Sequence, residues 1–161
     1  MQNHEKVAPV LRSDTRAVSI DADPAHVYEF IADPANLPIW AVGFCRVIRR
    51  DGDTDRWIVT TGHGELPIRY VTNSVAATID FHFGDAATGE NVAYSRVVPN
   101  GRGAEYIFTQ IQPREMPDEL FEAQIRALIE ELQVLRALVH ARSACRVSIG
   151  FHHEPRQPAH A

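Results

Sequence analysis

The sequence predicts an α+β domain: an antiparallel sheet of about seven strands, two short helices after the first strand, and a long C-terminal helix. Three observations predict it. Two helix starts follow one early strand, a series of alternating apolar segments is joined by short turns, and an amphipathic helix closes the pattern. The chain of 161 residues is long enough for one domain with its own core and too short for two ordinary domains.

The two helix starts share the sequence Asp-Pro-Ala, at residues 23–25 and 33–35. Each places an aspartate at the N-cap, where it accepts hydrogen bonds from unpaired amides, and a proline at the first helical position, where no N–H is needed. A strand over 13–21 precedes them. The sequence therefore predicts short helices over 24–32 and 34–40.

Alternating apolar and polar residues follow these helices and predict six further strands. Turn sequences separate them, among them Asp-Gly-Asp at 51–53 and Pro-Asn-Gly-Arg at 99–102. Because the links are short, an antiparallel meander is the simplest topology. The predicted strands cover 44–50, 56–61, 66–73, 77–83, 90–98 and 104–112.

The last helix is predicted from Pro117 to near Arg142. Its apolar positions step by four and three, so they form one stripe that must pack against the sheet. Residues 1–12 are predicted to be a flexible leader, 13–142 the domain and 143–161 a polar tail, in which Val147, Ile149 and Phe151 could form a short strand. The stripe consists of Phe121, Ile125, Leu128, Leu132, Leu135 and Val139.

Composition excludes several classes of function. The net charge of −5 gives no electrostatic reason to expect binding to nucleic acid or an anionic membrane. No apolar run reaches membrane-spanning length, so no membrane insertion is predicted. Cys45 and Cys145 are the only cysteines and make no disulfide framework. With no secretory signal in the sequence, we expect a cytoplasmic protein with reduced thiols.

Four segments carry a family resemblance: VSIDADPAHVYEFIADPANLPIW, the strand around Trp57, RVVPNGRGAEYIFTQ, and the final helix. Together they resemble the START-like (SRPBCC) superfamily with the helix-grip fold, in particular its bacterial polyketide cyclase/dehydrase-like branch. The resemblance covers roughly residues 13–141. It implies a curved sheet that grips the long helix, with a cavity between them that the short helices close at one end. The resemblance does not predict a particular reaction, because members of the superfamily include carriers, cyclases and hydroxylase domains.

The preferred functional prediction is a module that binds a small hydrophobic or amphipathic ligand, such as a lipid or polyketide-like molecule. Aromatic side chains at alternating strand positions suit such a cavity, although ordinary core packing between sheet and helix is the favoured interpretation for most of them. The residues predicted to bind the ligand are Trp40, Trp57, Tyr70, Phe81, Phe83, Tyr94, Arg96, Tyr106, Phe108, Phe121, Ile125 and Leu128.

A polyketide cyclase or dehydratase acting on such a ligand is the enzymatic alternative. Its candidate catalytic residues are Arg96, His63 and Tyr94. Arg96 is in phase with Tyr94, so it binds a ligand carboxylate or a neighbouring acid if that face points inward, and it is a surface residue if Tyr94 faces solvent. His63, between two glycines, is a general acid or base at a cavity mouth or, as we favour, an exposed hairpin residue.

A third hypothesis is a protein-interaction module, with a homodimer through a sheet face or edge as one form. It predicts a contiguous exposed apolar patch. No cofactor is predicted, because the sequence lacks a Gly-rich phosphate loop, a nucleophile elbow and the HExxH and paired-Cys zinc motifs. His152, His153 and His160 lie in the polar tail and do not predict a closed metal site.

Overall fold

The computed structural model describes residues 9–87 and 89–150. Its three helices are α1 (Pro24–Ala32), α2 (Leu37–Trp40) and α3 (Asp118–Gly150), and a short 3-10 turn, Pro34–Asn36, joins the first two. The strands are β1 (Ser13–Ile20), β2 (Val47–Arg50), β3 (Trp57–Thr61), β4 (Gly64–Asn73), β5 (Thr78–Asp85), β6 (Gly89–Asn100) and β7 (Gly103–Ile111).

The seven strands form one antiparallel sheet in the order β1-β7-β6-β5-β4-β3-β2. The predicted meander is confirmed, and β1 pairs with the last strand along its whole length. Close approach at that junction requires a glycine: a Cβ on Gly103 would lie 2.5 Å from the carbonyl oxygen of Ile20. The preceding turn also needs glycine, since Gly101 has a φ of 58°.

Both predicted helix caps are present. The Asp23 carboxylate accepts from the amide of Ala25 at 2.9 Å, and Asp33 accepts from Ala35 at 3.0 Å. The side-chain amide of Asn36 donates to the Phe30 carbonyl at 2.9 Å, which ties the second helix start to α1. These short elements are thereby fixed at one end of the sheet.

The core lies between one face of the sheet and α3. The C-terminal part of the apolar stripe is nearly inaccessible to solvent, with Leu132 at 2%, Leu135 at 0% and Val139 at 3% exposure. Helix α1 adds Val27 and Ile31, both at 0%. This arrangement confirms the predicted α+β helix-grip architecture.

The predicted end of the last helix is wrong. The helix continues past Arg142 to Gly150, so Val147 and Ile149 belong to a helix and not to a short strand, while Phe151 lies outside the described residues. The physical reason is that residues 143–149 contain neither proline nor glycine, so no residue stops the helix earlier. Most of the predicted leader, and the tail histidines, also lie outside the described residues.

Within residues 9–87 and 89–150, no helix combines the length and the hydrophobicity that crossing a bilayer requires.

Candidate ligand-binding cavity

A cavity of about 720 Å³ lies between the inner face of the sheet and the N-terminal half of α3. This volume falls within the range typical of small-molecule sites. One face of α3 forms a wall, because its lining residues recur at intervals of three and four and so share one side of the helix. These residues are Leu120, Ala123, Gln124, Ala127, Leu128 and Glu131.

The opposite wall is aromatic and belongs to the sheet. Phe81 lies with its ring centroid 6.4 Å from that of Phe83 and 5.7 Å from that of Phe108. Phe44, which follows α2, packs edge-on against Phe83 at 5.6 Å. The inner face also contributes the small side chain of Ala93, which leaves space in front of it.

Helix α2 and the following loop close the cavity on another side. Leu37, Trp40 and Ala41 line it and are 2–3% exposed. Exposed lining residues occur in the β3–β4 hairpin around His63, at Asn91 in β6 and in the first turns of α3, and also at Gly43 and Ile111. These positions mark where the cavity meets solvent.

Glu131 is a buried carboxylate in this lining, with 6% exposure. Its Oε1 accepts from the backbone amide of Gly43 at 2.9 Å, whereas the neighbouring amide of Phe44 donates to the Ala41 carbonyl at 3.0 Å. A Cβ on Gly43 would lie 3.1 Å from Oε1, so the missing side chain eases the approach. Burial raises the pKa of Glu131 to about 7, while the backbone amides of Gly43 and Phe44 lower it and nearby Glu130 raises it.

Cys45 lies close to this carboxylate but is not activated by it. The thiol is 1% exposed and lies 3.5 Å from the Val47 carbonyl oxygen, to which it can donate. Burial, and then the charge of Glu131, raises the pKa of Cys45 to about 11. Because the thiolate is the reactive form, this cysteine is unsuited to act as a nucleophile.

Three buried polar atoms have no hydrogen-bond partner among the described residues: Trp40 Nε1 and the hydroxyls of Tyr70 and Tyr106. Trp40 is a lining residue of the cavity, although its Nε1 atom is itself buried. Burial raises the pKa of both phenols. Ser95 lies near the Tyr106 hydroxyl and lowers its pKa, yet no hydrogen bond of normal geometry joins them.

The structure brings part of the predicted set together. His63, a candidate catalytic residue, lines the cavity. Its backbone amide donates to the Thr61 hydroxyl at 3.0 Å within the β3–β4 hairpin. Tyr70 and Tyr106 pack against Phe81 and Phe108 instead of lining the cavity. The predicted binding residues that do line the cavity are Trp40, Phe81, Phe83, Phe108 and Leu128.

The inward orientation considered for Tyr94 and Arg96 is wrong. They share a strand face, as predicted, but that face is the outer one: Tyr94 is 48% exposed and Arg96 is also exposed. The inner positions of β6 are held by Ala93, Ser95 and Val97, all at most 5% exposed. Side chains alternate along a strand, so a shift of one residue exchanges the whole set between faces.

Three other predicted residues lie outside the cavity lining. Phe121 and Ile125 are buried on a face of α3 that is rotated from the lining face. Trp57 is partly buried near the β2 edge of the sheet, where the guanidinium of Arg50 lies 5.0 Å from its ring centroid. Their apolar character therefore contributes to packing.

Sequence reasoning missed Glu131 and the loop that binds it. A signal for Glu131 was present, because it lies three residues after Leu128 and four before Leu135, on the edge of the apolar stripe. A carboxylate at such a position is turned toward the interior. Gly43 and Phe44 gave no comparable signal, since a loop's path is not encoded in a periodic pattern.

Comparisons with solved structures show what this fold is similar to. XoxI from Bacillus cereus has a TM-score of 0.64 at 14% identity, over 80% of this chain and 96% of that one. The Aha1 dimer from Colwellia psychrerythraea gives 0.63 at 12% identity, over 81% and 97%. Ara h 8.0201 gives 0.60 at 11% identity, over 81% and 99%. At these identities the likeness establishes the fold alone, and it agrees with the predicted helix-grip fold.

No protein-family model matches the sequence, and a search of curated proteins gives no significant match.

Proposed function

We propose that the protein binds a small, mostly apolar molecule with one polar end in the cavity between the sheet and α3. The observation that carries the proposal is the cavity itself. It has a volume of about 720 Å³ and one of its walls is aromatic. Apolar burial supplies the affinity of such sites, and a few polar groups orient the ligand. The carboxyl of Glu131, a lining residue, is one such group.

Filling the cavity tests the proposal. Ala127 lines it from α3, whereas Ala137 is exposed on the same helix and does not line it. We expect Ala127→Phe to weaken binding of the neutral fluorescent probe N-phenylnaphthylamine at least about tenfold, because a phenyl ring would occupy the probe's space. Ala137→Phe is the matched control and should bind like the wild type.

A second filling variant guards against misfolding. Ala123→Phe narrows the cavity where it meets solvent, and thermal unfolding of each variant shows whether the fold is kept. Native mass spectrometry of the purified protein should detect a retained small molecule. If the wild type does not bind the probe, or if folded filling variants bind it unchanged, the proposal is wrong.

Catalysis of proton transfer is a second candidate, favoured by the carboxyl of Glu131, whose pKa of about 7 suits a general acid or base near neutrality. A cyclising or dehydrating reaction of a polyketide-like molecule needs a base to remove a proton next to a carbonyl. Glu131, His63 and Glu65 are the ionisable groups that line the cavity, because Arg96 and Tyr94 point away from it, and Glu65 is paired with Arg49. Turnover of β-keto thioesters that is lost in Glu131→Gln, with probe binding retained, would support it; unchanged turnover would exclude Glu131 as the base.

The homodimer stays a prediction. It is tested by light scattering of the purified chain, where the mass of a single chain at high protein concentration would exclude it.

A further inference from the structure

The ionisable groups that line the cavity are mostly acidic. Among the described residues they are His63, Glu65 and Glu131, and the lining contains no arginine or lysine. Glu65 lies in the exposed hairpin and is paired with Arg49 at 3.0 Å. Glu131 is therefore the lining carboxylate whose charge is not neutralised by the chain.

The groups that face Glu131 leave its charge uncompensated. Gly43 and Phe44 contribute backbone amides, Cys45 contributes a neutral thiol, and Glu130 on the same helix is an acid. No described cation lies within ion-pair distance of it. A carboxylate has room for about four hydrogen bonds, so the one from the Gly43 amide leaves acceptor capacity free.

The aromatic wall has the same electrostatic preference. Trp40, Phe44 and Phe83 line the cavity, and the faces of aromatic rings are negative and attract cations. A buried carboxylate without a cation is costly, and a positive group that enters the cavity would offset that cost.

We infer that the ligand is a cationic amphiphile, an organic amine whose ammonium group pairs with Glu131 and whose apolar body lies along the phenylalanine wall. The inference rests on the proposed ligand-binding function and narrows its ligand class. A fatty acid would place a second negative charge beside Glu131, so carboxylate ligands are disfavoured. A neutral alcohol would gain the apolar contacts but not the ion pair.

Competition with bound N-phenylnaphthylamine tests the inference, with decylamine, decanol and decanoate as matched competitors. Near pH 8 Glu131 is ionised, given its pKa of about 7, and the amine is protonated. We expect decylamine to bind about tenfold more tightly than decanol, and decanoate to bind most weakly, because charged hydrogen bonds are worth at least that factor.

Glu131→Gln isolates the charge with little change in shape. It should remove the advantage of decylamine over decanol, while decanol binding changes less than about threefold. Glu130→Gln is the matched control, because Glu130 is an exposed neighbour on α3 outside the lining, and it should leave the advantage largely intact.

The outcomes separate this inference from the function on which it rests. If decanol or decanoate binds the wild type as tightly as decylamine, or if Glu131→Gln keeps the amine preference, the amine assignment is wrong and the binding function stands. If the wild type binds neither the probe nor any competitor, the binding function itself is wrong.

Discussion

The two halves of α3 pack against the same sheet with opposite results. In the C-terminal half, Leu132, Leu135 and Val139 are at most 3% exposed and belong to a continuous core. In the N-terminal half, Ala123 and Ala127 face the sheet across a cavity of about 720 Å³. The difference lies in side-chain volume. The cavity arises because small residues occupy facing positions, and not because the backbone architecture differs.

The halves differ in polarity as well. The packed half presents branched aliphatic side chains, whereas the cavity half contains the carboxylate of Glu131. Buried polar groups reduce stability unless a partner satisfies them. The cavity half is therefore the less stable arrangement when empty, and the one able to recognise a polar ligand group.

The largest effect is expected for core truncation. Leu135→Ala, at 0% exposure, should lower the free energy of unfolding by about 4 kcal/mol, and Leu128→Ala in the cavity wall by only about 2 kcal/mol, because Leu128 already lacks contacts on one side. Urea unfolding of both variants gives the comparison. Equal losses would mean that the two halves are packed alike.

Ionisation of Glu131 should make the free energy of unfolding depend on pH. Its native pKa of about 7 exceeds the usual 4.5, so the native state holds an extra proton between these values, and stability falls as pH rises from about 4.5 to about 7. Above that range the free energy of unfolding should be about 3 kcal/mol lower than at acidic pH. Urea midpoints at acidic and mildly alkaline pH should show this loss in wild type and Glu130→Gln, and a flatter profile in Glu131→Gln. The same slope in Glu131→Gln would contradict the assignment.

A smaller effect is expected at Tyr106. Its ring is fully buried in the packed core and its hydroxyl lacks a partner, so Tyr106→Phe should raise the free energy of unfolding by about 1 kcal/mol. Probe binding should not change, because Tyr106 does not line the cavity. Chemical denaturation measures the first and a fluorescence titration the second; a clear loss of stability would reveal a hydrogen bond to Ser95 or water.

The smallest effects belong to the outer face of the sheet. Tyr94→Phe and Arg96→Ala should each change stability by no more than about 0.5 kcal/mol, because both side chains are exposed. Neither should alter probe binding by more than measurement error. A tenfold loss of binding in either variant would show that the outer face takes part in the site.

Much of the fold could be predicted from local patterns. The Asp23 and Asp33 caps and the alternation within the strands each depend on nearest neighbours along the chain, and the structure confirms them. The site was predicted only in part. Phe81, Phe83 and Phe108 were found because they alternate along strands. Arg96 was considered inward because alternation cannot say which face of a strand is the inner one.

By itself the sequence determined the order and type of the elements, the helix starts and the apolar stripe of α3, because caps, turns and periodicity act over a few residues. Tertiary structure alone decided that Ala93 and not Tyr94 faces α3, that the loop at Gly43 reaches Glu131, and that small side chains meet to leave a cavity. These features depend on the twist and register of strands distant in sequence, and no local pattern encodes which residues they bring together.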